Sequence, residues 1–423
     1  MKNDDRKRFT ITDFLLHLHP AKVERNSVKY SRTFGLGGIN ALLFFILALS
    51  GIILRFFYVP TIKDAYLSLS VLEKNTLFGS LLRGVHHWAA TFLVIGVFLH
   101  LLRVVFATAI FNERKKNWYY GLALFTLVLS TVFAGYLLPW EQLSYWAVTV
   151  MTSTLEYIPV IGSPLANLIR GGAEINENTL MNFYVLHTSV LPLLILLLTV
   201  LHIWLVRKAE GVALPESEKG EKIAVNPNLI SKEILAALAV TAGVFLFAFF
   251  FGAPSGEMAN PAVTPDPTKA PWYFSGVQEL LVNVHPIFAV FVIPFLLFLF
   301  VLYLPKIEID KNKIGVWFYS DVGKKASVYS SFFSASLSIA LIFLFEYAVK
   351  PENAPSNSLV LTGVLPLLAY LLPFAAFLYF LRRKFSADSN ELALAVFSAI
   401  ISSYVVMGIF TFFLRGEGMR LIF

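Results

Sequence analysis

RGVHHWAATFLVIGVFLHLLRV at residues 83–104 and NFYVLHTSVLPLLILLLTVLHIWLVRK at residues 182–208 each set two histidines inside a long apolar run. An α-helix advances about 1.5 Å and 100° per residue, so His86 and His100 stand about 21 Å apart and within about 40° of one face. His187 and His202 stand about 22 Å apart and about 60° from one face. If the two helices run in the same direction, His86 meets His187 near one membrane surface and His100 meets His202 near the other. The pattern is a ladder of two bis-imidazole metal sites.

Composition requires the membrane. Hydrophobic residues make up 57% of the chain and charged residues 14%, and mean hydropathy is +0.69, more apolar surface than a soluble globule could hide. Runs of about 20 apolar residues predict nine spans: 38–58, 84–107, 118–138, 184–206, 233–252, 286–305, 328–348, 359–381 and 392–414. With the N-terminus in the cytoplasm, inside segments hold 24 of the 34 Lys and Arg and outside segments eight. That asymmetry is the positive-inside signal of a multi-pass protein of the cytoplasmic membrane, with the C-terminus outside. The net charge of +7 is then mostly an orientation signal, and nucleic-acid binding is not expected. The charged start, MKNDDRKRF, makes the first span its own insertion signal. The absence of cysteine excludes disulfides, thiolate-ligated clusters and thioether-linked haem, so any haem is held by coordination and packing.

With this topology the second and fourth spans run parallel, as the histidine ladder requires. Glycine adds an independent check, because it lets a bulky group approach the backbone closely. Gly37 and Gly51 in the first span, and Gly121 and Gly135 in the third, repeat the histidine spacing. Gly51 and Gly135 fall at the depth of His86 and His187, and Gly37 and Gly121 at that of His100 and His202. The competing reading is ordinary helix packing through small residues and interhelical hydrogen bonds. It accounts poorly for four histidines and four glycines coinciding at two depths. His87, about 100° round the helix from His86, is interfacial. Arg83, about a turn before His86, and Arg103, nearly a turn beyond His100, suit haem propionates; snorkelling to headgroups is the alternative.

The two quoted runs, with AGYLLPWEQLSYWAVTV at 134–150 and IPVIGSPLANLIRGG at 158–172, closely resemble the haem-bearing half of cytochrome b of the bc1/b6f superfamily. The resemblance covers residues 30–210, and the 15-residue spacing in the fourth span is similar to the cytochrome b6 type. The second half resembles subunit IV of b6f complexes. The resemblance implies an all-α integral membrane protein, a four-helix haem-binding bundle followed by about five further transmembrane helices. Its parts are a dihaem bundle at 1–210, a cytoplasmic linker at 211–232, a quinol-site domain at 233–348 and additional helices at 349–423. It further implies two non-covalent b-type haems and a quinol-oxidising, proton-translocating complex run as a Q cycle. The implied partners are a Rieske iron–sulfur protein, a c-type cytochrome, the quinone pool, membrane lipid and a second copy in a homodimer.

Departures from the family pattern locate the open points. The usual Pro-Glu-Trp-Tyr motif of the outer quinol site reads Ala270-Pro271-Trp272-Tyr273, so the carboxylate that takes the quinol proton is missing. A base must still lie within reach of the proton. Glu141 is the expected surrogate and Glu279 the second candidate; an exposed interfacial carboxylate is the alternative for Glu141. The aromatics Trp140, Tyr145, Trp146, Trp272 and Tyr273 flank a quinone in this reading, or form an interfacial belt. Similar Pro-for-Glu variants accompany menaquinol, which points to menaquinol as substrate. At the inner site Gly35 replaces the cysteine of cytochrome b6, so no covalent haem is expected on this chain. Arg207 serves there as a propionate or quinone contact, or as an inside anchor. The N-terminal segment DFLLHLHPAKV, with His17 and His19, is expected on the cytoplasmic surface. The last two spans dock a subunit, reinforce a dimer or face lipid, the last being the simplest. The rival function is a dihaem membrane anchor linking quinone to a peripheral dehydrogenase, which would keep the histidines but not need PWEQ and PWYF. A proton-coupled transporter would show repeat symmetry, and no clear inverted repeat is present.

Overall fold

The structure, a computed structural model, describes residues 20–348 and 358–422; His17 and His19 lie outside them. Among the described residues a short strand β1 (Lys22–Glu24) precedes thirteen helices of nine or more residues. These are α1 (Leu36–Leu54), α2 (Ala65–Asn75), α3 (Gly79–Phe106), α4 (Lys115–Leu137), α5 (Gln142–Leu155), α6 (Gly162–Arg170) and α7 (Glu177–Lys208). After strand β2 (Lys222–Ala224) come α8 (Ile230–Phe251), α9 (Ser275–Asn283), α10 (Phe288–Lys306), α11 (Asp321–Tyr347), α12 (Val360–Phe385) and α13 (Ser389–Leu414). Among the described residues nine helices are long and apolar enough to cross a membrane: α1, α3, α4, α7, α8, α10, α11, α12 and α13. The protein is an all-α integral membrane protein, and each expected span coincides with one of these helices. α2, α5, α6 and α9 are the shorter helices between them.

The helices begin and end where local chemistry says. Asn176 caps α7 early, its side chain accepting from the backbone N–H of Asn178 and Thr179, as an N-cap should. Pro139 and Trp140 interrupt α4, and Glu141 starts α5 with a reciprocal capping box to Ser144. Asp388 caps α13 in the same way.

Connectors alternate between the two ends of the bundle. At one end the Phe318 amide donates to Phe106 O at 2.6 Å, Thr108 Oγ1 donates to Lys313 O at 2.7 Å, and Arg114 donates to Gly211 O and Ala209 O, each at 2.7 Å. The charged linker returns to this end. β2 pairs antiparallel with β1, Arg25 pairs with Glu221, and Arg32 pairs with Glu218. At the other end Tyr58 Oη donates to Leu138 O at 2.7 Å, and Trp140 and Gln142 bond the backbone of Glu257 and Ala259.

The core of the first half holds Leu43, Val85, Ala89, Leu93, Val128 and Ile195. Val244 and Ala248 of α8 join it, and a Cβ on Gly84 would lie 3.1 Å from Ala248 O. The first span after the linker is therefore packed into the bundle. In the second half α11 meets α13 along a serine face, where Ser334 bonds Ala399 O at 3.0 Å and Ser338 bonds Ser403 at 2.9 Å. Small side chains of this kind let helix backbones approach closely in the membrane.

Candidate functional site

The four histidines meet in two pairs. The rings of His86 and His187 have centroids 6.0 Å apart at 75°, and those of His100 and His202 lie 6.4 Å apart at 74°. An imidazole centroid sits about 1.1 Å from its nitrogen, and metal–nitrogen bonds run about 2.0–2.1 Å, so two rings on one metal lie about 6.3 Å apart. Each pair has room for one metal ion between its rings. Among the described residues no cluster of three or more His, Cys, Asp or Glu has metal-binding geometry; two facing imidazoles are a ligand set that suits the axial positions of a haem.

The outward nitrogen of each ring in the first pair is tied down. Ser50 Oγ donates to Ile46 O at 2.8 Å, which makes it an acceptor for His86 Nδ1, 2.9 Å away. His187 Nδ1 donates to the carbonyl of Thr131 at 2.8 Å. A neutral imidazole with its proton on Nδ1 keeps the Nε2 lone pair for a metal. In the second pair, His202 Nδ1 has the Asn117 backbone beside it, short of hydrogen-bond geometry.

Glycine accounts for the space around the rings. A Cβ on Gly51 would lie 3.1 Å from His86 Cε1, one on Gly37 3.8 Å from His100 Cε1, and one on Gly121 3.4 Å from His202 Cε1. A Cβ on Gly135 would collide with His187 Cε1 and lie 2.7 Å from its Nδ1. Every glycine of the spacing argument thus faces the histidine assigned to its depth.

One local feature escapes a straight-helix reading. Residues Leu186–Val190 of α7 form a single π-helical turn that contains His187. Such a turn takes in one extra residue. The 15-residue interval therefore behaves like the 14-residue interval of α3, and the two histidines of α7 come onto one face.

The charged residues sort by end. Arg103 is buried and donates through Nε to Arg32 O at 2.8 Å. No carboxylate among the described residues pairs with it, so this guanidinium, nearly one turn from His100, suits an anionic group. Arg83 instead donates to Glu73 at 2.7 Å, Glu141 at 2.9 Å and Ser255 at 2.7 Å. Glu141 is thereby anchored at the start of α5, against Gly256. Arg207 lies in the last turn of α7, and Gly35 sits at the start of α1 with φ +67°.

Pro271 leads into one 3-10 turn, Trp272–Phe274, ahead of α9. Burial, with Tyr136 beside it, pushes the Tyr273 phenol above its ordinary range, so it keeps its proton and is a donor. Phe274 meets Phe133 of α4 edge-on at 5.7 Å, which brings this turn to the end of the bundle that holds Gly135 and His187. Trp140 and Tyr145 pack in the core of the same end, and the Trp146 Nε1 donor is buried there without a partner. Glu279 is buried and has both oxygens taken by Arg415, at 2.5 and 2.9 Å. Of the two candidate bases, Glu279 is engaged in a closed ion pair, a commitment invisible to a reading that treated the last helices as separate from α9.

The family model described as Cytochrome b/b6/petB matches residues 22–210. The cytochrome b6 of Heliomicrobium gestii is 39% identical over 182 residues, spanning 43% of this chain and 85% of that protein. A chain of a hyperthermophilic respiratory Complex III superposes with a TM-score of 0.70 and 25% identity, over 90% of this chain and 99% of its own.

Proposed function

This chain belongs to the cytochrome b family of the bc1/b6f superfamily, and from that premise we propose that it is the dihaem, quinol-oxidising subunit of a respiratory complex. The observation that carries the reading is the pair of bis-histidine sites, at ring separations of 6.0 and 6.4 Å, stacked between the same two helices. His86 with His187 and His100 with His202 would hold two non-covalent b-type haems, which when bound supply one-electron carriers across the membrane. Arg103 would hold a propionate at the second site.

The chain's own residues perform the rest. Ser50 and the Thr131 carbonyl fix the tautomer and angle of the first pair. Gly37, Gly51, Gly121 and Gly135 keep the backbone clear of the rings. Trp272 and Tyr273, led in by Pro271, would form one wall of the outer quinol site, with Tyr273 donating to the quinol. Glu141, held by Arg83, would receive the proton that the motif carboxylate takes elsewhere in the family. Menaquinol is the proposed substrate, a Rieske protein and a c-type cytochrome the proposed acceptors, and a Q cycle within a homodimer the proposed mode. The cluster of connectors rich in Lys and Arg would face the cytoplasm, placing the inner quinone site and Arg207 there.

The test is the haem content of the purified complex by pyridine haemochrome, with redox titration and quinol-to-acceptor turnover on the same sample. Two haems with separate midpoints and inhibitor-sensitive turnover are expected. Two haems without Rieske-linked turnover would favour the membrane anchor, and absence of haem would overturn the ligand assignment. Glu141→Gln should leave haem content intact while quinol oxidation falls by roughly 10²–10⁴, the usual value of positioned acid–base catalysis.

Ser50→Ala should raise the midpoint of the first haem. Losing the acceptor makes His86 a less basic ligand, and a less basic ligand stabilises the oxidised metal less. One hydrogen bond is worth about 0.5–1.5 kcal/mol, or roughly 20–60 mV for one electron. The second haem's midpoint should not move in the same titration.

A further inference from the structure

The last span reaches back onto the segment that carries Trp272 and Tyr273. Tyr404 Oη of α13 donates to the carbonyl oxygen of Tyr273 at 2.5 Å. Its ring occupies the place a side chain on Gly276 would need, 2.7 Å from Cε2 to such a Cβ. Lys269 Nζ donates to Phe412 O at 3.0 Å, so α13 grips the segment ahead of Trp272 as well as behind it. Arg415, just past α13, donates to Glu279 through Nε to Oε2 at 2.9 Å and Nη2 to Oε1 at 2.5 Å. Thr411 Oγ1 adds a bond of 2.7 Å to Oε2, and Asn283 Nδ2 one of 2.8 Å to Oε1. The other arm, Nη1, donates to Glu346 Oε2 at 2.9 Å and Met419 O at 2.7 Å.

A two-point Arg–carboxylate fork fixes angle as well as distance. Both partners here are buried, and releasing Arg415 would leave the Glu279 carboxylate without a countercharge. A link that is rigid and costly to open stabilises little but locates well. The braced turn then passes its position inward, because Phe274 abuts Phe133, two residues before the Gly135 that faces His187.

We propose that α13 and Arg415 form a built-in brace that sets the Pro271–Glu279 segment against the outer histidine pair, with Tyr404 and Arg415 as positioning residues for quinol oxidation. The proposal rests on the quinol reading of that segment, and it gives the ninth span a role beyond a lipid-facing wall.

The experiment uses the intact complex carrying Tyr404→Phe, which removes one hydroxyl and keeps the ring against Gly276. The expected result is a quinol KM raised roughly five- to tenfold with kcat changed by less than about twofold, as for loss of one hydrogen bond that orders the binding segment. A second variant, Glu279→Gln with Arg415→Gln and Glu346→Gln, removes all three charges of the cluster together, so that none is left buried without a partner. Its KM should rise at least about tenfold, at wild-type haem content. A purely structural role would lower the yield of assembled complex and scale kcat down with it, leaving KM in place. Wild-type KM in Tyr404→Phe, measured in complex with full haem content, would overturn the brace. A wild-type complex that oxidises no quinol would overturn the reading beneath it, and the brace with it.

Discussion

His187→Leu is expected to halve the haem content of the purified complex and abolish quinol oxidation to the level of the enzyme-free control. The argument is geometric. His86 and His187 face each other at 6.0 Å, and His86 is held by Ser50 whether or not its partner is present. A leucine fills the space of the imidazole but offers no lone pair, so one axial ligand remains where two are needed. The other site, near the opposite end of α3 and α7, has its own pair at 6.4 Å and its own glycines, Gly37 and Gly121. The haemochrome assay should therefore read one haem per chain, with the surviving haem at its wild-type midpoint. His202→Leu should give the reciprocal result, keeping the haem that His187→Leu loses. Loss of both haems in each variant, at wild-type protein content, would show one coupled site and overturn the two-site ladder.

The parts of this architecture that a sequence declares are those written in periodicity and charge. Among the described residues the nine apolar runs became nine helices because the bilayer leaves a backbone few other ways to satisfy its hydrogen bonds. The histidine and glycine spacings were legible because a helix converts residue number into depth and azimuth. The π turn at Leu186–Val190 was not, since it alters the azimuth without altering composition. Nor was Ser50, which reads as one more small residue beside Gly51 until its hydroxyl is found between Ile46 O and His86.

The charged residues were the harder case. Arg83 and Arg103 sit at equivalent places relative to their histidines, yet Arg83 is held by Glu73 and Glu141 while Arg103 meets a backbone carbonyl. Which partner an arginine takes depends on chain segments remote in sequence. The same holds for Glu279 and Arg415, more than a hundred residues apart and at the same end of the bundle. Hydropathy located α13 correctly but could not say what it packs against, and the absence of histidine from it carried no information about Tyr404 or Arg415.

Substituting the four glycines one at a time by alanine should separate a haem cradle from ordinary helix packing. In the cradle reading the damage follows the distance from the added Cβ to the ring. Gly135→Ala comes first, because its Cβ collides with His187 and stands 2.7 Å from Nδ1 and 3.0 Å from Nε2. The ring must move, and moving it breaks the 2.8 Å bond to Thr131 that holds its tautomer. Overpacking of this kind costs about 1–3 kcal/mol, so occupancy of the first haem should fall by roughly ten- to a hundredfold where binding is not saturated. Gly51→Ala, at 3.1 Å from His86 Cε1, should be next. Gly121→Ala, at 3.4 Å, should shift the second haem slightly, and Gly37→Ala, at 3.8 Å, is ordinary contact and should be silent. Helix packing through small residues would not order the four by ring distance, nor confine the effect of each to one haem. The deciding measurement is the occupancy and midpoint of each haem in the four variants. A silent Gly135→Ala beside a damaging Gly37→Ala would show that these glycines serve the helices and not the rings.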